Sequence, residues 1–184
     1  MRHSVLGLIF LSFMSVTPRS QAVGDNELPF NRAQSVINTF EVMCNLELPN
    51  FERIDSKAAA MRMQLQVDNK VALQGDAVRH SKAWMGSLTT GSFALLLEEM
   101  SGAKGRLTSC AIVGEVPDVD AFRAEAVNTM KLPAVPTPEI GGDGSRSFIW
   151  DRISGPGTTL ILRDFKPSGK PGVMLKLLSM DGRR

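Results

Sequence analysis

Residues 106–116 read RLTSCAIVGEV, and the thiol of Cys110 in this stretch decides how the fold is held together. The β-branched and apolar residues around Cys110, with Gly114 and Pro117 after them, predict a strand that is half or wholly buried. A thiol in such a strand is either a reactive group or one half of a cross-link. The compartment in which the protein resides separates these two alternatives.

The second cysteine, Cys44, lies in the stretch NRAQSVINTFEVMCNL at residues 31–46. The apolar residues of this stretch recur at the spacing of a helix, which places Cys44 on the inward face of that helix. The residues of the apolar stripe are Ala33, Val36, Ile37, Phe40, Met43 and Cys44. Since the chain has only two cysteines, we predict a disulfide between Cys44 and Cys110 that joins the helix to the strand.

The N-terminus indicates the compartment, because it has the pattern of an export signal. A basic start at Arg2 precedes an apolar run at residues 5–16, which is too short to span a bilayer. The small residues of SQA at 20–22 suit a signal peptidase, so we expect cleavage between Ala22 and Val23. The alternative is an uncleaved anchor or a buried N-terminal helix. We therefore predict a secreted protein, with the periplasm as its compartment.

The mature chain carries no net formal charge. The full sequence has 21 basic and 19 acidic residues, and the predicted signal removes Arg2 and Arg19 without removing an acid. A balanced chain does not indicate binding to nucleic acid or to an anionic membrane, since both depend on clustered Lys and Arg. No segment after the signal is long and apolar enough to enter a bilayer. Residues 23–184 have a length and composition that predict a single domain.

The pattern of the mature chain predicts an α+β fold. Two more helices are expected, at 54–66 with Asp55 or Ser56 as the N-cap, and at 117–130 with Asp118 as the N-cap. Six strand-like runs separated by short turns favour antiparallel pairing, and they lie at 82–88, 92–100, 106–116, 147–153, 158–165 and 173–180. We therefore predict an antiparallel sheet of about six strands, with two to three helices packed on one face.

Two segments do not fit this alternation of helices and strands. Residues 68–80 favour neither structure. Residues 131–146 read KLPAVPTPEIGGDGSR, and their proline and glycine content predicts an exposed, flexible loop.

The two blocks of strands show a weak internal similarity. A shift of 66 residues superposes Trp84 on Trp150 and Leu96 on Leu162. Two three-stranded meanders related by duplication are therefore one hypothesis, and chance agreement between two alternating patterns is the other.

His80 is the one imidazole of the mature chain, and a hydrolase with a serine nucleophile would need it as a base. Arg79 and Lys82 lie beside it in the sequence and would lower its basicity. An exposed loop is the expected place for His80. The sequence therefore assigns no catalytic residue.

The carboxylates do not form a recognisable acid-base or metal-binding set. Glu98 and Glu99 are adjacent in a predicted strand and point to opposite faces, so they are poor partners for a shared reaction. Asp143 in the GGDG stretch lacks the ligand spacing of a calcium loop. We assign no metal ligand and no cofactor.

Trp84 and Trp150 begin two strand blocks, so they either stack in the core or line a groove. A groove lined by aromatic and methionine side chains would bind an apolar group or a peptide of a partner. The leading hypothesis is a non-enzymatic binding or accessory protein of the bacterial cell envelope, whose partner is another envelope protein or a small apolar ligand. The alternatives are a periplasmic hydrolase that uses His80 with a serine and an aspartate, and a carrier of a small apolar ligand.

Overall fold

A computed structural model describes residues 29–103, 105–153, 155–165 and 171–182. The predicted signal peptide, 1–22, and the predicted cleavage between Ala22 and Val23 lie outside the described residues.

Three helices and eight strands form the described fold. The helices are α1 (Pro29–Phe40), which continues into a π-helical turn (Glu41–Asn45), α2 (Phe51–Ala60) and α3 (Val119–Thr129). The strands are β1 (Gln64–Ala72), β2 (Val78–Leu88), β3 (Gly91–Gly102), β4 (Gly105–Glu115), β5 (Glu139–Ile140), β6 (Arg146–Asp151), β7 (Thr158–Phe165) and β8 (Gly172–Gly182). The fold is α+β, as predicted.

The strands form one antiparallel sheet with the order β1-β2-β3-β4-β8-β7-β6-β5. Strands β1 to β4 form one meander and β5 to β8 form a second, and the two meet where β4 pairs with β8. Each connection within a meander is short, which is what antiparallel neighbours allow.

All helices pack against one face of the sheet, which we call the covered face. A row of apolar side chains crosses this face from β2 to β6, and each of its members is buried. The row consists of Trp84, Leu95, Ile112, Leu175, Leu162 and Phe148. Val36 of α1 lies so close to Gly114 that a Cβ there would be 3.3 Å from its methyl group. Arg123 of α3 lies over the Phe148 ring, at 4.6 Å from its centroid.

The helix at the N-terminus follows the predicted apolar stripe. All six stripe residues are buried, and Cys44 has no exposed surface. Pro29 begins α1, where a residue without an N–H is tolerated best. At the start of α3, Asp118 Oδ1 accepts hydrogen bonds from the N–H groups of Asp120 and Ala121 at 2.9 and 3.0 Å, so the predicted N-cap is confirmed.

The predicted disulfide is present. Cys44 and Cys110 are joined with an S–S distance of 2.02 Å and a Cα–Cα distance of 5.4 Å, and 66 residues separate them in the sequence. The bridge connects the π-helical turn after α1 to the middle of β4. Both half-cystines are fully buried, so neither is available as a nucleophile.

The second helix lies earlier than predicted. It begins at Phe51, because Asn50 Oδ1 accepts the N–H of Arg53 at 3.0 Å and acts as the N-cap in place of Asp55 or Ser56. The helix ends at Ala60, and the positive φ of Arg62 turns the chain into β1. Leu65, which falls within the predicted helical range 54–66, is therefore an exposed residue of β1.

The strand count of about six was too low, because β1 and β5 were missed. Strand β1 is the sheet edge and its side chains are mostly exposed, and the polar residues at 68–70 interrupt the alternation that begins at 64–67. Strand β5 has two residues and lies within the segment 131–146, which is therefore not wholly irregular. Residues 68–80, which favoured neither structure, contain the end of β1 and the start of β2.

The two meanders repeat each other in topology and register. Each of four strands in one has a counterpart in the other, so the meanders are four-stranded and not three-stranded. The equivalent rows are Trp84–Leu95–Ile112 and Trp150–Leu160–Leu177. Trp84 and Trp150 are 66 residues apart in the sequence, whereas the members of the other two equivalent pairs are 65 residues apart. A uniform shift of 66 therefore aligns Leu96 with Leu162, which is one residue beyond its structural equivalent.

Among the described residues, no helix has the length and apolar character needed to cross a membrane.

Candidate functional site

The second face of the sheet, which we call the open face, lies opposite the helices. It carries the side chains that alternate with the buried row, and no described helix lies over it. Its central strands present mostly apolar residues, which are Ala94, Leu96 and Met100 of β3, Leu107, Ala111 and Val113 of β4, and Met174, Leu178 and Met180 of β8. Met180 is 62 % exposed and Leu96 is 39 % exposed.

Polar side chains are few in the centre of the open face. Glu98, Ser109 and Lys176 are the polar members of β3, β4 and β8 between the apolar residues. Ser109 and Ala111 are buried although they face outward, because the longer side chains on both neighbouring strands flank them. The small residues of β4 thus form the floor of a shallow depression.

An apolar cavity continues the open face toward the β1–β2 and β3–β4 turns. Its volume is about 440 Å³, and Met100, Leu107 and Met180 line it. Asp76 and Arg106 supply charged groups to the same lining. Apolar walls with a few polar groups are the usual composition of a binding site, and methionine side chains adapt their shape to different partners.

His80 lies on strand β2 and not in an exposed loop, so the expected place of this residue was wrong. Its Nε2 atom is 2.8 Å from Asp68 Oδ1 of β1, and its ring stacks on Phe51 of α2 at 4.7 Å between centroids. The β1–β2 pairing brings these groups together. A hydrolase would need a serine hydroxyl as well, and none of the described residues supplies one to His80.

Lys82, two residues further along β2, has two carboxylate partners. Its Nζ atom lies 2.6 Å from Asp55 of α2 and 3.3 Å from Asp68 of β1. Burial acts to lower the pKa of Lys82, but its hydrogen bonds to Asp55 and Asp68 outweigh this effect and raise the pKa. The hydrogen bond from His80, followed by that from Lys82, lowers the pKa of Asp68 against the opposing effect of burial. These charges attach α2 to the edge of the sheet.

The two adjacent glutamates lie on opposite faces. Glu98 is on the open face, and Glu99 is on the covered face with Arg106 at 3.6 Å. They cannot act on one substrate as a carboxylate pair.

Asp143 belongs to a hydrogen-bonded turn that lines a cavity of about 620 Å³. Its carboxylate accepts the hydroxyl of Ser145 at 2.6 Å and a guanidinium N–H of Arg163 at 2.9 Å. The hydrogen bond from the Ser145 side chain is the main reason that the pKa of Asp143 is lowered. No group of three potential metal ligands occurs among the described residues.

Trp84 and Trp150 are both buried on the covered face. Strands β3, β4, β8 and β7 lie between their strands, so the two indoles do not face each other across a groove. Each belongs to the core. They lie in the apolar cluster between the helices and the sheet.

The residues of the open face were missed in the sequence, although a signal for them was present. Leu95, Leu96 and Leu97 are apolar at consecutive positions, as are Leu177 and Leu178. A strand with one solvated face alternates between apolar and polar residues, so consecutive apolar residues indicate that both faces are apolar.

No protein-family model matches this chain, and neither a curated protein nor a solved structure resembles it closely enough to count as a match.

Proposed function

We propose that this protein is an exported, non-enzymatic binding protein of the bacterial cell envelope, that it acts in the periplasm, and that the open face is its binding surface. The observation that carries the proposal is the apolar character of a sheet face that no described helix covers. Proteins that act as monomers rarely expose contiguous apolar patches larger than a few hundred Å².

The composition of the open face suits a protein partner. Four methionines lie on it, at Met85 of β2, Met100 of β3 and Met174 and Met180 of β8. Flexible thioether side chains pack against differently shaped apolar surfaces, and they are frequent in proteins that bind other chains. The cavity next to Met100 and Met180 offers a place for an apolar side chain of the partner.

Export is supported by two independent features. The N-terminal sequence has a basic start, a short apolar run and a cleavage site with small residues. The Cys44–Cys110 bridge is the kind of cross-link that forms and persists in an oxidising compartment.

Site-specific photo-crosslinking in intact cells tests the proposal. A benzophenone amino acid at Leu96 or Met100 should give a defined adduct, because both side chains lie exposed on the open face. The same amino acid at Glu52, an exposed position of α2 on the opposite side of the sheet, is the matched control. Mass spectrometry of the periplasmic protein should place its N-terminus at Val23.

Two results would contradict the proposal. One is the absence of any adduct from both open-face positions, and the other is equal crosslinking from Glu52. Retention of the N-terminal segment by a cytosolic protein would overturn the assigned compartment.

A further inference from the structure

Glu98 and Lys176 are the two charged residues in the centre of the open face. Glu98 of β3 lies opposite Ser109 of β4, and Lys176 of β8 lies opposite Ala111 of β4. Neither forms an ion pair with any other described residue. With strands about 4.8 Å apart and about 3.4 Å per residue, the Cα atoms of Glu98 and Lys176 are about 12 Å apart.

This pair makes the open face complementary to itself. A two-fold axis that lies in the plane of contact, midway between Glu98 and Lys176 and perpendicular to the line that joins them, exchanges their positions. Two copies packed face to face about this axis place each carboxylate next to the ammonium of the other copy. A symmetric dimer uses the same patch twice, so a patch with one acid and one base on either side of its centre satisfies both charges.

We propose that the open face binds a second copy of this chain, and that Glu98 of each copy pairs with Lys176 of the partner subunit. This inference rests on the proposed function and names the partner of that same surface. The apolar residues around the two charges are removed from water by the contact, which supplies the main attraction. The charges fix the relative orientation of the copies.

The size of the open face fits a weak, reversible contact. From β2 to β7 the sheet spans four strand spacings, or about 19 Å, and residues 94–100 of β3 extend over about 20 Å. The central patch therefore measures about 400 Å² on each copy, or about 800 Å² in total. Interfaces below about 1,200 Å² belong to weak and transient complexes, so we expect a dimer that dissociates readily on dilution.

Charge reversal tests the arrangement directly. Glu98→Lys and Lys176→Glu each create two like-charge contacts in the dimer, so each should raise the dimer dissociation constant at least about tenfold. The double variant Glu98→Lys/Lys176→Glu restores opposite charges and should return the constant to within about threefold of the wild type. Glu139→Lys, on the exposed strand β5, is the control and should leave the constant unchanged.

The measurement is sedimentation equilibrium of the mature protein purified from the periplasm. Circular dichroism and the urea midpoint of each variant at high dilution show whether the fold is retained. A dimer whose dissociation constant in both single variants equals that of the wild type would overturn the Glu98–Lys176 pairing.

The outcomes also separate this inference from the proposed function. In one outcome, the wild-type protein stays monomeric at about 100 µM while its open face crosslinks to another envelope protein. This outcome overturns the proposal that the partner is a second copy of the chain, and it leaves the proposed binding function intact. A monomer that gives no crosslink from the open face overturns both.

Discussion

The two faces of the sheet carry similar side chains in different surroundings. Leu95 and Leu97 on the covered face are 0 % and 1 % exposed, whereas Leu96 between them on the open face is 39 % exposed. The helices and the disulfide lie on the covered face, so its apolar residues stabilise the fold. The open face has no such layer among the described residues. An apolar surface that does not contribute to the core is available for recognition.

The largest effect is expected from the disulfide, which fastens the helical layer to the covered face. In the double variant Cys44→Ala/Cys110→Ala, the free energy of unfolding should fall by about 4 kcal/mol, because a long loop of the unfolded chain is no longer closed. Urea unfolding measures this change. Reductant added to the wild type should shift the midpoint in the same direction. Two thiols that react with an alkylating reagent before reduction would show that the bridge does not form.

The next effect compares the two faces at neighbouring positions of one strand. Leu97→Ala leaves a cavity in the core and should lower the free energy of unfolding by about 3 kcal/mol. Leu96→Ala removes a side chain that is already partly in water, so the loss should stay below about 1 kcal/mol. Both variants are measured by urea unfolding at low protein concentration, where association does not contribute. Equal losses would mean that the faces do not differ in their contribution to stability.

The covered face could be predicted from the sequence because its pattern is local. The stripe that ends at Cys44 repeats with the period of a helix, and the two cysteines of the sequence have only each other as partners. The N-cap Asp118 likewise acts on the N–H groups just after it. Periodicity and capping depend on neighbours in the sequence, so one sequence is sufficient for them.

The remaining features depend on contacts between distant segments. Strand β1 alternates between polar and apolar residues only at 64–67, and the polar residues at 68–70 interrupt the pattern at this exposed edge of the sheet. His80 was expected in a loop because its partner Asp68 lies on that unrecognised strand. A bulge between Leu65 and Val67 shifts the register in which β1 pairs with β2 and so places Asp68 next to His80. The open face was missed because the consecutive leucines of β3 resemble a strand buried on both sides.

A smaller effect is expected from Thr108, which tests whether water reaches the covered face. Thr108 is buried there, and its Oγ1 has no hydrogen-bond partner among the described residues. Thr108→Val keeps the shape of the side chain and removes an unsatisfied hydroxyl, so the free energy of unfolding should rise by about 1 kcal/mol. Thr137→Val, at an exposed position, is the control and should change little. A loss of stability at Thr108 would show that a polar group or water satisfies this hydroxyl.

The smallest effect concerns the edge where α2 meets the sheet through charges. The hydrogen bond from His80, with that from Lys82, lowers the pKa of Asp68 in the folded protein. A lowered pKa stabilises the fold at pH values above the unfolded pKa of about 3.9, and this stability is lost as the pH falls through the folded value. The free energy of unfolding of Asp68→Asn should therefore be lower than that of the wild type at neutral pH, and it should approach the wild-type value in acid. Urea unfolding at a series of pH values measures both.

The control for the acid series is Asp76→Asn, which removes an exposed carboxylate that has no ion pair among the described residues. The difference between wild type and Asp68→Asn should also shrink with added salt, because Asp68 is partly exposed and its charge is screened. A difference that persists unchanged at low pH and high salt would assign the effect of Asp68 to the shape of its side chain. Charge would then have no measurable part in attaching α2 to the edge of the covered face.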